Sequence, residues 1–161
     1  GVSIQYLKEK KPLGTAGALS MLDKESIKKP IIVINGDIIT KVNFDSLLKY
    51  HEKHNCDLTI CSKNYLVKVP YGVLDFKRDN VADLLEKQSF DFQINAGIYV
   101  ISNLALKELK KVKKIDMNEF IKILINKKYK IKAFPLHEYW TDIGEIDQFK
   151  KAENDIISKK I

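Results

Sequence analysis

The run Ile31-Ile32-Val33-Ile34, closed by Asn35-Gly36-Asp37, constrains this chain more than any other segment. Four consecutive β-branched residues leave no polar face for water, so the run suits a parallel strand covered on both sides. Gly36 then lets the backbone turn sharply and throws Asp37 off the strand's carboxyl end, the edge where open α/β sheets bind ligands.

The rest of the chain alternates strand-like and helix-like segments. Val2, Ile4 and Tyr6 alternate with polar residues and predict a strand over 2–7; a glycine-containing loop over 8–14 leads to a short helix over 15–23. Asn43 is placed to cap an amphipathic helix carrying Phe44, Leu47, Leu48 and His51. A strand follows over 57–62. Residues 71–76 and 81–86 flank the polar turn Lys77-Arg78-Asp79-Asn80 and predict a hairpin. A strand over 94–101 is interrupted by Asn95-Ala96-Gly97. Helices over 104–112 and 117–126, a strand over 129–134 and a helix from about 145 to the C-terminus complete the pattern. Strands alternating with helices imply an α/β sandwich, with the hairpin as an antiparallel addition and all of 1–161 as one domain.

Composition removes several function classes. Of 161 residues, 45% are hydrophobic, enough for a core, and 30% are charged, which excludes a transmembrane protein. Lys plus Arg number 28 against 21 Asp plus Glu, a net charge of +7, yet Arg78 is the only arginine. Sequence-specific nucleic-acid readers rely on the forked guanidinium, so a nucleic-acid partner is not expected. A membrane partner is not expected either. The two cysteines, Cys56 and Cys61, make neither a disulfide framework nor a zinc site and suit a reducing cytoplasm.

Four segments carry candidate chemistry. Asp37 reads as a turn aspartate or as a carboxylate holding a divalent cation that grips phosphate oxygens. Asp142, in Tyr139-Trp140-Thr141-Asp142-Ile143-Gly144, reads as a helix cap or as a second hard oxygen ligand beside Asp37. Small residues in Leu13-Gly14-Thr15-Ala16-Gly17-Ala18-Leu19 leave backbone N–H groups open to a flat ligand, or serve tight packing alone. Glu86-Lys87 and Asn95-Ala96-Gly97, placed on consecutive strands, offer a cation for phosphate and polar groups for sugar hydroxyls, or are plain surface.

In this order, the blocks "PLGTAGAL", "VINGDIIT", "VPYGVL", "LLEK", "NAGIYVIS" and "YWTDIGEIDQFKKA" resemble the sugar-1-phosphate nucleotidyltransferases over nearly the whole chain. The resemblance implies a Rossmann-like mixed sheet flanked by helices. It also implies a reaction in which an NTP and a sugar 1-phosphate give an NDP-sugar and pyrophosphate. Carried over by position, Asp37 and Asp142 resemble the family's Mg²⁺ ligands. Gly72 and Asn95 resemble its sugar contacts, Glu86 the acid on a sugar hydroxyl, and Lys87 the lysine on the sugar phosphate. The stretch 9–15, with Gly14 and Thr15, resembles the base-binding loop, and Gly36 belongs to the loop that presents Asp37. Glu9 leans toward GTP, because a carboxylate accepts from guanine N1–H and N2–H. The stretches "KVPYGVL" and "HEYWTDIG" look most like bacterial enzymes that activate sugar phosphates for surface glycans. Self-association is compatible with all of this.

The sequence departs from the family at Gln88, where proline is usual, and at Glu145, where many members have threonine. It also contains no GxGxxG and no Walker-type loop, and the family's glycine-rich signature with its arginine is not among these residues. That loop grips the triphosphate, so the expectation is a domain truncated at its N-terminus, with little or no activity on its own. A non-catalytic binding or regulatory module on the same fold is the alternative reading. A glycosyltransferase would want an Asp-x-Asp pair, and Ile38-Ile39 follow Asp37 instead. His51 and His54 read as a solvated helix face, Cys61 as core, and Lys110 to Lys114 as cations at a helix C-terminus.

Overall fold

The computed structural model describes residues 1–109 and 114–158. In chain order its elements are a 3-10 helix (Gly17–Met21), β1 (Ile31–Ile34), β2 (Ile38–Thr40), α1 (Phe44–Lys53), β3 (Leu58–Lys68), β4 (Val73–Lys77) and β5 (Asn80–Leu85). They continue with β6 (Ser89–Ile101), α2 (Asn103–Leu106), α3 (Met117–Asn126), β7 (Ile131–Pro135), β8 (Trp140–Asp142) and α4 (Ile146–Ile157). The main sheet has the order β1-β6-β3-β7. β6 is antiparallel to both neighbours and β3 is parallel to β7, so β1, β3 and β7 run one way and β6 the other.

The C-terminal half of β6 is the spine of the core, since every residue from Ala96 to Ile101 is buried. Side chains alternate across a strand. Tyr99 and Ile101 therefore join Leu58, Leu106, Phe120 and Leu124 on one face, while Ile98 and Val100 join Leu47, Cys61 and Leu136 on the other. Burying each such aliphatic side chain contributes roughly 2 kcal/mol. Helices α2 and α3 cover the first face and α1 the second.

Local sequence explains the helices. Asn43 Oδ1 accepts from Ser46 N at 2.9 Å and starts α1, whose Leu47 and His51 turn inward. Glu119 accepts from Asp116 N at 3.2 Å at the start of α3, and Met117, Phe120 and Leu124 recur at helical spacing to form its buried stripe.

Several expectations need correction. Residues 2–7 are not a strand: alternation prepares a strand, but no described strand pairs with them, and Val2 and Tyr6 are 86% and 88% exposed. The segment 15–23 yields only the five-residue 3-10 helix. β1 pairs antiparallel with β6 and lies at the sheet's edge, with Ile34 exposed. Of the helix expected over 104–112, the described residues show α2 and no helix over 107–109; 110–113, most of the lysine run and 159–161 lie outside the described residues. His51 is buried rather than solvated, with Nδ1 2.9 Å from Thr59 Oγ1, and burial holds its imidazole below the usual range. Cys61 is core as expected, and burial pushes its thiol up to about 12.

Candidate active site

The site is assembled by a strand pair that sequence reading missed. β2 and β8 pair antiparallel with Ile38 opposite Asp142, Ile39 opposite Thr141 and Thr40 opposite Trp140. Ile143 N donates to Asp37 O at 2.8 Å, and Lys41 N donates to Tyr139 O at 3.0 Å, extending the ladder at both ends. Asp37 and Asp142 are thereby held side by side. A methyl group built on Gly144 would lie 3.0 Å from Asp142 Oδ1 and 3.6 Å from Asp37 Oδ2, so a glycine keeps open the space that both carboxylates face. Asp142 does not cap α4, whose cap is Glu145; its Oδ1 accepts from Gly144 N at 2.7 Å.

A bulge in β6 fixes where this pair sits. Ile60 opposes Tyr99 and Ser62 opposes Asn95, so Cys61 of β3 faces the three residues Ala96, Gly97 and Ile98. Gly97 takes φ +70, a conformation glycine adopts without strain. Its carbonyl accepts from Asn35 N at 2.9 Å, and the Ala96 carbonyl accepts from Trp140 Nε1 at 2.8 Å. Two adjacent carbonyls of one bulge thus anchor both the Asn35-Gly36-Asp37 loop and the strand carrying Asp142. Asn35 and Trp140 are positioning residues that the sequence reading did not single out. The signal was their adjacency to the two aspartates.

Two clefts flank the carboxylates. The first, about 410 Å³, is lined by Thr15, Val33, Ile34, Asn35, Gly36 and Asp37. The second, about 450 Å³, holds Asp142 with Lys63, Tyr65, Trp140, Gln148 and Lys151 among its lining residues. Thr15 reaches the first cleft because its loop is tied to α3: Thr15 N donates to Asp116 Oδ1 at 3.2 Å, and Thr15 Oγ1 accepts from Met117 N at 2.8 Å. Gly14 makes that approach possible. It sits at φ +82, and a methyl there would lie 2.5 Å from Asp116 Oδ1. Glu9 stabilises the same loop through Oε2, which accepts from Leu13 N at 3.1 Å.

The remaining site residues are not drawn in. Glu86 and Lys87 occupy a turn between β5 and β6 rather than a strand, with Lys87 at φ +49, and both are exposed. Gly72 lies at the open end of the β4–β5 hairpin, where a methyl would meet Leu84 Cδ1 at 2.8 Å. Asn95 spends its side chain locally, donating to Tyr99 Oη at 2.8 Å and accepting from Gly97 N at 3.1 Å. No hydrogen bond or ion pair among the described residues links Gly72, Glu86, Lys87 or Asn95 to Asp37 or Asp142.

The donor set is made of hard oxygen ligands. Two exposed carboxylates are hard oxygen ligands, and no cluster of three or more His, Cys, Asp or Glu side chains that could hold a metal occurs among the described residues. Such a pair could hold a hard divalent cation that keeps its other positions for water and phosphate.

A Rossmann-like mixed sheet, with a carboxylate pair at the edge where β1 ends, defines an α/β protein of the nucleotidyltransferase type. The chain belongs to the nucleotidyl transferase family, whose model matches residues 1–159. It is 34% identical over 157 residues to the mannose-1-phosphate guanyltransferase of Pichia angusta, covering 92% of this chain and 43% of that protein. It is 31% identical over 156 residues to the mannose-1-phosphate guanylyltransferase catalytic subunit beta of Danio rerio, with the same coverage of 92% and 43%. The chain therefore spans less than half the length of these relatives. Among solved structures, HddC from Yersinia pseudotuberculosis superposes with a TM-score of 0.66 at 28% identity, over 92% of this chain and 64% of HddC. HddC complexed with GMP-PN gives a TM-score of 0.66 at 26% identity, over the same 92% and 64%.

Proposed function

We propose that this chain supplies the carboxylate pair and the sugar side of a guanylyltransferase that converts GTP and a sugar 1-phosphate into a GDP-sugar and pyrophosphate. The observation that carries the reading is the β2–β8 pair, which sets Asp37 beside Asp142 between two clefts. The guanine preference draws support from the guanyltransferase relatives, the GMP-PN complex of HddC, and Glu9, whose Oε1 has no partner among the described residues.

A phosphate oxygen of the sugar 1-phosphate attacks the α-phosphorus of GTP in line. The bond from that phosphorus to the bridging oxygen breaks, and pyrophosphate leaves with the electron pair. The attacking oxygen is already anionic, so no general base is required, and catalysis is positioning plus electrostatics. Asp37 and Asp142 would hold Mg²⁺, which supplies charge neutralisation between the approaching phosphates. Gly36 gives the backbone close approach to phosphate in the first cleft. Gly14 lies against the guanine, with Thr15 at the rim. Gly72, Glu86 and Asn95 contact sugar hydroxyls, and Lys87 offsets phosphate charge once the hairpin closes on the sugar. The same reading places the protein in the cytoplasm as a self-associating enzyme, its product supplying a bacterial surface glycan.

Pyrophosphate release with Mg²⁺ tests this across GTP, UTP, CTP and dTTP, with several hexose 1-phosphates, on the longest polypeptide in which the sequence occurs. GTP is expected to be preferred, and Asp37→Ala to lower the rate by about 100-fold or more. The 161-residue chain alone is expected to turn over little or nothing. Silence across the whole panel, or full activity in Asp37→Ala, overturns the reading.

A further inference from the structure

We propose that Asp116, the residue before α3, is a positioning residue for the nucleotide, holding the Gly14–Thr15 loop in the shape that receives GTP; this assignment rests on the guanylyltransferase reading above. Four hydrogen bonds stitch residues 13–16 to residues 115–117. Ile115 N donates to Leu13 O at 2.8 Å, and Ala16 N donates to Ile115 O at 3.1 Å. Thr15 N donates to Asp116 Oδ1 at 3.2 Å, and Met117 N donates to Thr15 Oγ1 at 2.8 Å.

On the α3 side, three of the four groups are backbone and are present whatever the residue. Asp116 supplies the one side chain, so it makes the one bond that the choice of residue decides. It reaches out of its helix to do so. Asn43 Oδ1 and Ser102 Oγ accept from Ser46 N and Ala105 N, each three residues on, at the start of their own helices. The Asp116 carboxylate accepts from an amide 101 positions back. An ionised acceptor makes this bond stronger than a neutral oxygen would. Thr15 in return satisfies the amide of Met117, one of the donors that a helix start leaves without an intrahelical partner.

The bond acts where the loop meets the ligand. A methyl group on Gly14 would lie 2.5 Å from Asp116 Oδ1 and 2.7 Å from Ile115 O, so these two atoms back the side of Gly14 on which a side chain would project. Thr15, next in the chain, lines the first cleft with Gly36 and Asp37. Glu9 braces the loop at Leu13, and Asp116 braces it at the end that enters the cleft. A loop released there must be ordered when nucleotide binds, which weakens binding without altering the transfer step. Asp116 lines neither cleft, so its action passes through Thr15.

Steady-state kinetics on the longest polypeptide in which the sequence occurs, with GTP and mannose 1-phosphate varied in turn, test the assignment. Glycine is tolerated at a helix start, so Asp116→Gly removes the carboxylate at little cost to α3, while Asp116→Asn keeps an acceptor oxygen at the same reach. Asp116→Gly is expected to raise KM for GTP about fivefold, a modest effect for a charged acceptor because the contact is exposed. The kcat and the KM for mannose 1-phosphate should stay within about twofold, and Asp116→Asn should recover most of the loss. On the unaltered protein, Mg²⁺ with a non-hydrolysable GTP analogue should slow hydrogen exchange at the Thr15 and Ala16 amides, whereas mannose 1-phosphate alone should not; this measurement stands if a variant does not fold. An equal rise in both KM values, an unchanged KM for GTP in Asp116→Gly, an Asp116→Asn as impaired as Asp116→Gly, or amide exchange indifferent to nucleotide overturns the assignment. An unaltered polypeptide silent with every NTP ends the guanylyltransferase reading as well; an active one with an indifferent Asp116→Gly ends this assignment alone.

Discussion

β3 and β6 form one continuous antiparallel ladder, yet its two halves live in different environments. From the bulge onward, Ala96 to Ile101 are buried and contribute to both clusters of the core. Before the bulge, Lys63 pairs with Ile94 and the ladder runs out to Lys68 opposite Ser89. There Tyr65, Leu66, Val67, Phe90 and Phe92 are all exposed, at 54%, 46%, 39%, 40% and 52%. The backbone hydrogen bonding is the same in kind on both sides. Pairing alone thus extends a ribbon into solvent, while packing on both faces decides which part of it carries stability. The bulge marks the boundary, and the candidate site is hung from it.

Substitution at fully buried Ile98 should show the largest effect: Ile98→Ala is expected to lower unfolding free energy by roughly 2–5 kcal/mol in chemical denaturation. A loss below about 1 kcal/mol would mean that the buried half is not the stabilising one. Gly97→Ala comes next, at about 1–2 kcal/mol, because the new methyl must occupy a left-handed conformation. It would also meet Asn35 Nδ2 at 2.8 Å. The same variant should weaken divalent-cation binding, because Asn35 leads directly to Asp37; unchanged cation affinity would sever the bulge from the site. Smallest is Phe92→Ala on the outer ladder, expected within about 0.5 kcal/mol of the parent. A loss comparable with that of Ile98→Ala would show that something covers the arm in solution.

Elements whose specification is local were readable from sequence. Asn43 and the spacing of Leu47 and His51 gave α1, residues 117–126 matched α3, and the Lys77 to Asn80 turn gave the hairpin. Elements that depend on a distant partner were not. β2 and β8 are three residues each, too short for any periodicity, and they exist because they meet. Residues 2–7 have the alternation without the partner. His51 reads as solvated from its residue type, because nothing in the sequence announces that Thr59 of β3 meets its ring. Asp37 and Asp142 were legible as residue types in turns, but their adjacency comes from the bulge and from Gly144.

Thr40 and Tyr139, joined through Thr40 Oγ1 to Tyr139 O at 3.0 Å, stand 99 positions apart in the chain. The carboxylate pair held by this junction therefore closes one of the longest loops in the molecule. Such loops are entropically expensive and slow to form. During synthesis the pairing of the two carboxylates is consequently a late arrival: the sheet and its helices can begin to consolidate while Asp37 waits, and the two stand side by side only after Asp142 has emerged and its short strand has docked.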